Sequence, residues 1–209
     1  MSWTHYFKIF IALVVIVNPV GAVPVFLSVT DGQDATQRSL TARLTGISVA
    51  CVLVIACLTG ESILKFFGIS LASFRVGGGL LIMLMAIHMM QAKTSPSRQT
   101  PEEAREAEDR ESVAVVPLAI PLLSGPGAIT TAILYADREH SILGLTVLIG
   151  SSLLVGLFVW LVLLLADPVS RWLGHTGINI ATRLMGLLLA AIAVEFITQG
   201  ISVLLPGLA

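Results

Sequence analysis

Asn18-Pro19-Val20-Gly21-Ala22-Val23-Pro24 lies inside an apolar run that carries no charge from Ile9 to Thr30. That run is long enough to cross a bilayer as a helix. Near its middle, however, stand two prolines, a glycine and an asparagine, each of which opposes a regular helix interior. A second stretch, Ser124-Gly125-Pro126-Gly127-Ala128, interrupts another apolar run in the same way. A peptide group left unpaired in hydrocarbon costs several kcal/mol, so an interrupted span must face protein or a water-filled cavity. The remainder of the chain is read as the frame that encloses these two interruptions.

Of 209 residues, 56% are hydrophobic and 12% charged, about half the charged share of a soluble domain. This is a membrane composition. A net charge of −1 and the lack of basic blocks interleaved with aromatics argue against a nucleic-acid partner. Six apolar runs are delimited by charges: Ile9–Thr30, Leu44–Gly60, Val76–Ala92, Ser112–Ala136, Ser141–Ala166, and Leu184 to the C-terminus, the last broken only by Glu195. Lys8 before an apolar core resembles a signal peptide, but the run continues without an A-x-A site and reads as a retained span. Cys51 and Cys57 lie on different faces of one helix, about 9 Å apart along its axis. They read as buried apolar packing rather than a disulfide or metal site.

The only sizeable hydrophilic segment is Lys93 to Glu111, with ten charged residues, Pro96 and Pro101. Glu102 to Glu111 is either a short exposed helix starting at Pro101 or disordered chain. In alternate loops, eight Lys and Arg residues fall on the side of this segment and four on the other. The excess places it in the cytoplasm and both termini on the outer, periplasmic face.

A shift of 106 residues superposes Gly21-Ala22-Val23 on Gly127-Ala128-Ile129, Glu61 on Asp167, Lys65 on Arg171 and Gly68 on Gly174. Two further residues bring Arg75 onto Arg183, Gly78 onto Gly186 and Gln91 onto Gln199. An odd number of spans per repeat forces opposite orientations. The expected architecture is therefore an all-α membrane protein of six transmembrane helices. They form two inverted-topology three-helix repeats, 1–92 and 113–209, joined by the polar loop 93–112, with discontinuous helices 1 and 4. Paired broken helices meeting near the midplane are a transporter arrangement.

Where a helix restarts after Pro19 or Pro126, free N–H groups and a partial positive charge favour a carboxylate. Carbonyls released before each break favour an ammonium, so the facing breaks suit a small zwitterion. Asn18, Pro19, Gly21, Ser124, Gly125, Gly127 and Thr130 are the expected substrate-binding residues, with Thr131 adding a hydroxyl. Packing kinks with small residues for helix contact are the plainer alternative. Glu195, mid-span and expected to face the interior, is the ion-coupling candidate. His88, beside its repeat equivalent, is its candidate partner, with H+ or Na+ as the coupling ion. Arg75 and Arg183 start symmetric helices, where they neutralise Glu61 and Asp167, gate the cavity from opposite sides, or serve as interfacial anchors.

Asn18 to Phe26, Pro117 to Ile129 and Thr182-Arg183-Leu184-Met185-Gly186-Leu187 together resemble the MarC family of bacterial inner-membrane proteins. Gly174-His175-Thr176-Gly177-Ile178-Asn179 and the tail from Phe196 to Leu208 are most similar to its SnatA-like neutral amino-acid transporter branch. The resemblance implies a multi-pass inner-membrane carrier of small neutral amino acids such as glycine and alanine. Drug or metabolite efflux and a non-transporting stress-response accessory are the alternatives. The two tyrosines and three tryptophans lie away from the breaks, which does not suit a pocket for hydrophobic cations. No Walker A motif, H-E-x-x-H or Ser/Cys–His arrangement occurs, so neither ATP drive nor an enzyme is expected, and no cofactor. The expected partners are the bilayer and a zwitterionic substrate, with a homo-oligomer left open.

Overall fold

The computed structural model describes residues 3–91, 118–119, 122–139 and 141–208. The regular structure among them is helical: α1 Trp3–Val17, α2 Pro19–Val29, α3 Ala35–Phe66, α4 Leu71–Met90, α5 Pro126–Arg138, α6 Ile142–Leu164 and α7 Ala166–Leu204, with a 3₁₀ turn at Pro206–Leu208. The polar segment Lys93–Glu111, with its expected start at Pro101, and most of the chain from Ser112 to Pro121 lie outside the described residues.

Among the described residues, five stretches are long and apolar enough to cross a bilayer: Tyr6–Val29, Ala35–Phe66, Leu71–Met90, Ile142–Leu164 and Thr176–Leu204. The first is α1 and α2 in series across the Asn18 break. The fourth apolar run is described from Leu122 onward and contributes α5, at 13 residues too short to span alone. Helices α3 and α7 extend well past the uncharged runs Leu44–Gly60 and Leu184 onward. At 32 residues, α3 is about 48 Å long against about 30 Å of hydrocarbon, so its polar first turns lie beyond the apolar run. Asp34 caps that start, accepting from the Gln37 N–H at 2.8 Å, as a short acceptor at an N-terminus should. Ser70 and Ser141 cap α4 and α6 in the same way. Gly68 (φ +66) closes the turn after α3, and Gly174 (φ +61) breaks α7 near its start. Both hold a left-handed backbone that a side chain would strain.

Two antiparallel helix pairs form the frame. In one, Arg38, Gly46 and Cys57 of α3 meet Asp167 at the start of α7 and Gly156 and Ser152 of α6. In the other, Ala72, Gly79 and Ala86 of α4 meet Gly200, Ala193 and Gly186 of α7. Small residues permit these crossings, because lipid supplies little hydrophobic drive between helices and close packing must hold them. A Cβ built on Gly46 would stand 2.6 Å from the Gly156 carbonyl oxygen, and one on Gly156 would stand 2.5 Å from that of Gly46. Cys57 is buried against Ser152 and the Ala132 carbonyl, whereas Cys51 is exposed, so only one of the two thiols packs in the core as expected. Gly46→Leu or Gly156→Leu should therefore destabilise the protein by roughly 1–3 kcal/mol through overpacking. Gly150→Ala, with open space around its Cα, should leave the unfolding temperature in detergent unchanged.

Candidate functional site: two helix breaks and a polar groove

Proline disfavours the right-handed helical conformation in the residue before it, and the two breaks answer this differently. Asn18 adopts a left-handed backbone (φ 49°, ψ 61°), which asparagine tolerates because its short amide bonds locally. Its N–H continues α1 by donating to Val14 O at 2.9 Å. Its side-chain oxygen then caps α2, accepting from the Gly21 N–H at 3.2 Å. A Cβ at Gly21 would collide with that amide, so glycine and asparagine are required as a pair. The first break is closed upon itself.

The second break is open. Leu118, Ala119, Leu122 and Leu123 carry π-type turns, and the Ser124 N–H donates to Ala119 O at 2.8 Å. Wider turns of this kind recur at functional sites. Gly125 is extended (φ −67°, ψ 177°) and offers α5 no side-chain cap. Pro126 has no N–H, while Ala128 and Ile129 both donate to Gly125 O. The Gly127 N–H, in the first turn of α5, has no acceptor among the described residues. Beside it, Ser124 Oγ is buried with no hydrogen-bond partner among the described residues. Buried hydroxyls are ordinarily bonded, so an unpaired one next to a helix N-terminus marks a place for an acceptor.

The breaks adjoin one another. A Cβ on Gly127 would lie 3.6 Å from Ile16 Cγ2, two residues before Asn18, and 3.1 Å from both Ile82 and Met85 of α4. Thr130 packs against Gly78 of α4, where any Cβ would clash with it. The Thr131 hydroxyl is occupied, donating to Gly127 O at 2.8 Å. Asn18, Pro19, Ser124, Gly125, Gly127 and Thr130 are all buried, while Gly21 is half-buried. Pro126, between Gly125 and Gly127, is exposed.

The ionisable candidates are arranged differently from expectation. Because α4 and α7 are antiparallel, His88 lies level with Gly186 while Glu195 lies level with Gly79. The proposed His88–Glu195 pair does not form: His88 Nδ1 bonds Leu84 O at 2.8 Å. Glu195 is exposed rather than interior and lines a groove of about 610 Å³ with Lys8, Tyr135 and Arg138. There Arg138 donates to Gln199 Oε1, and Gln199 donates to Glu195 Oε1 at 2.9 Å. Tyr135 supports Arg138 through its ring face, 5.9 Å from the guanidinium carbon. Along α1 the groove runs from Phe7 to Val15, ending three residues before the Asn18 break.

Neither candidate gating arginine neutralises the expected carboxylate. Glu61 pairs with Lys65 one turn on, and Asp167 pairs with Arg38 at 2.8 Å. Arg38 also donates to Thr30 O, which ties the end of the first span to α3 and α7. Arg75 is half-buried with its Nε unpaired among the described residues, within electrostatic reach of Asp137 and Arg138. Arg183 is exposed. Arg38, Arg138 and Gln199 were missed from sequence because their partners lie far along the chain. The Glu195–Gln199 spacing of one helical turn was the only local clue.

A chain built of bilayer-length apolar helices, one of them broken at Asn18 and packed against a half-helix that starts at Pro126, is a multi-pass integral membrane protein. Residues 3–205 match the family described as MarC family integral membrane protein, and the chain belongs to that family. It is 45% identical over 206 residues to UPF0056 membrane protein YhcE of Escherichia coli, covering 97% of this chain and 94% of the relative. UPF0056 membrane protein BU267 of Buchnera aphidicola is 40% identical over 97% of this chain and 94% of its own. UPF0056 membrane protein MJ1677 of Methanocaldococcus jannaschii is 40% identical over 96% and 98% respectively. No solved structure matches the chain.

The two breaks should respond oppositely to alanine. Asn18→Ala removes a cap and places alanine in a left-handed backbone, costing about 2 kcal/mol. Ser124→Ala removes a hydroxyl that bonds nothing within the described structure, and should leave stability unchanged or slightly raised. Thermal unfolding of the two purified variants side by side checks both.

Proposed function

We propose that this protein is a secondary transporter of small neutral amino acids, of the glycine and alanine class, and has no enzymatic activity. The observation that carries this reading is the open second break. Ser124 Oγ and the Gly127 N–H are unspent donors at the N-terminus of α5, buried and beside the end of α1. A carboxylate accepts from both, aided by the positive end of the helix dipole. Pro19 and Pro24 have no N–H, so Val15 and Val20 carbonyls lack their helical partners and are available to an ammonium. Donors at the second break and unpaired carbonyls at the first suit the two charges of a zwitterion, and the tight wall of Ile16, Ile82 and Met85 around Gly127 suits a small side chain.

Six spans arranged as two inverted halves would supply the transport cycle. Three features support that arrangement. The long helices pair antiparallel, α3 with α6 and α4 with α7. Gly68 and Gly174, 106 residues apart, are both left-handed. Gly46 and Ala50 on α3 correspond at the same shift to Ser152 and Gly156 on α6, and Gly156 meets both Gly46 and Ala50 at the crossing.

In this reading the site is exposed alternately to either face by rocking one half on the other. Arg38, bonded to Asp167 and Thr30 O, closes one end. Arg138, bonded to Gln199, closes the other, with Arg75 beside it. Glu195 accepts from Gln199 at that second end, so its protonation weakens the Arg138–Gln199–Glu195 chain and couples H+ to opening. The basic-residue bias supports placing the Glu195 end and both termini in the periplasm of a bacterial inner membrane.

Proteoliposomes supplied with labelled alanine and glycine under imposed pH and sodium gradients test the proposal. Saturable, gradient-dependent flux is expected; its absence under every gradient refutes transport of this class. Ser124→Ala should raise KM about tenfold or more, the loss of one hydrogen bond to a charged group, while folding as well as the parent. Glu195→Gln should retain exchange of labelled for unlabelled substrate but lose its dependence on the pH gradient. A pH dependence unchanged in that variant removes Glu195 from coupling.

A further inference from the structure

A second recess, away from the breaks, opens between α3 and α6. The close approach of Gly46 to Gly156 forms its base, and Arg43, Ile47, Leu153, Leu157 and Trp160 stand around it. Its volume is about 290 Å³, at the small end of ligand pockets. That space holds a chain segment, not a folded partner.

Its polar chemistry is one-sided. Trp160 Nε1 is buried and has no hydrogen-bond partner among the described residues. An indole N–H can only donate, and a buried donor left unmade carries a desolvation cost of about 1–3 kcal/mol. Arg43 is exposed, and its guanidinium forms no ion pair with a carboxylate among the described residues. No carboxylate or carboxamide lines the recess, so the Arg43 guanidinium at its rim has no acidic side chain there to neutralise it. The occupant that completes it is an anion.

The location selects which anion. Arg43 is the last charge before the uncharged run Leu44–Gly60, the level at which a spanning helix meets headgroups. Trp160 is at the same level, its Cβ 2.8 Å from the position a Gly46 Cβ would take, and tryptophan is enriched at that depth. Beyond them the recess continues between aliphatic residues, with exposed Ile47, Leu153 and Leu157 facing the hydrocarbon. We infer that this recess binds an anionic phospholipid, its phosphate held by Arg43 at the rim, and its acyl chain lying along Trp160, Ile47, Leu153 and Leu157. Basic pockets between transmembrane helices recognise lipid headgroups by this chemistry. The bound lipid would bridge α3 and α6 at their crossing. Its existence does not depend on what the protein transports.

The test uses the full-length protein with Trp3→Phe and Trp172→Phe, leaving Trp160 as the only tryptophan. It is reconstituted in vesicles containing either brominated phosphatidylglycerol or brominated phosphatidylcholine. Trp160 fluorescence should be quenched at about fivefold lower mole fraction of the anionic lipid, the preference expected of one arginine at a headgroup. Arg43→Gln should bring the two lipids to equal quenching, and Arg43→Lys should retain the preference, which separates lost charge from lost fold. Equal quenching in the parent, or a preference untouched by Arg43→Gln, overturns the inference. So does a preference abolished by inorganic phosphate, which would mark a soluble-anion site. Quenching by neither lipid together with cross-linked dimers would assign the recess to a second copy of the chain and equally overturn it.

Discussion

Hydrocarbon offers no partner to a peptide group, and this single constraint organises the molecule. One span is cut near its middle at Pro19 and a half-helix starts at Pro126, and such interruptions leave backbone groups without helical partners. Such groups persist inside a membrane only behind a wall of protein. The wall is provided by α4, whose Ile82, Met85 and Gly78 close over Gly127 and Thr130, and by the end of α1 at Ile16. Helices α3, α6 and α7 in turn hold these elements, through glycine contacts that leave no room for a methyl group.

Within this enclosure the two breaks have unequal chemistry. Asn18 spends its amide oxygen on Gly21, so the first break is stable with no ligand present. Ser124 and Gly127 keep their donors free, so the second break is complete only when something accepts from them. In the proposed transport cycle that inequality has a use. The self-capped break supplies a rigid wall, and the uncapped one supplies binding free energy that can be realised in one conformation more than another. The polar links at the two ends of the bundle have the same character. Arg38 to Asp167 and Arg138 to Gln199 each join helices far apart in sequence through one or two hydrogen bonds, which is little to break in a rocking motion.

The break motifs, the apolar runs and the correspondence between Gly68 and Gly174 were legible in the chain because each rests on local rules: proline lacks an N–H, a bilayer has a fixed thickness, and glycine alone adopts left-handed backbone freely. The ionic partners were not legible. Glu195 was matched with His88 on the assumption that equivalent repeat positions lie at equal depth. In antiparallel helices equivalent positions near the ends lie at opposite depths, and His88 and Glu195 are separated accordingly. Asp167 was matched with Arg183, but Arg38 reaches it first from the start of α3. The length of α3 was underestimated for a related reason: the charge-free run measures the hydrocarbon crossed, not the helix that crosses it.

By itself the sequence determined that the chain lives in a membrane, where its spans are interrupted, and which residues stand at the interruptions. These are properties of composition and of single residues, and they hold in any packing. Only the tertiary structure decided that Asn18 satisfies its own break while Ser124 does not, because both residue types cap helices equally well on paper. Only the structure decided, too, that Glu195 faces a groove with Arg138 and Lys8, and that Arg43 and Trp160 line one recess between α3 and α6. The difference is physical. Whether a polar atom is satisfied depends on which distant atoms arrive within 3 Å or so of it, and in a helical membrane protein that is settled by how closely small residues let the helices approach.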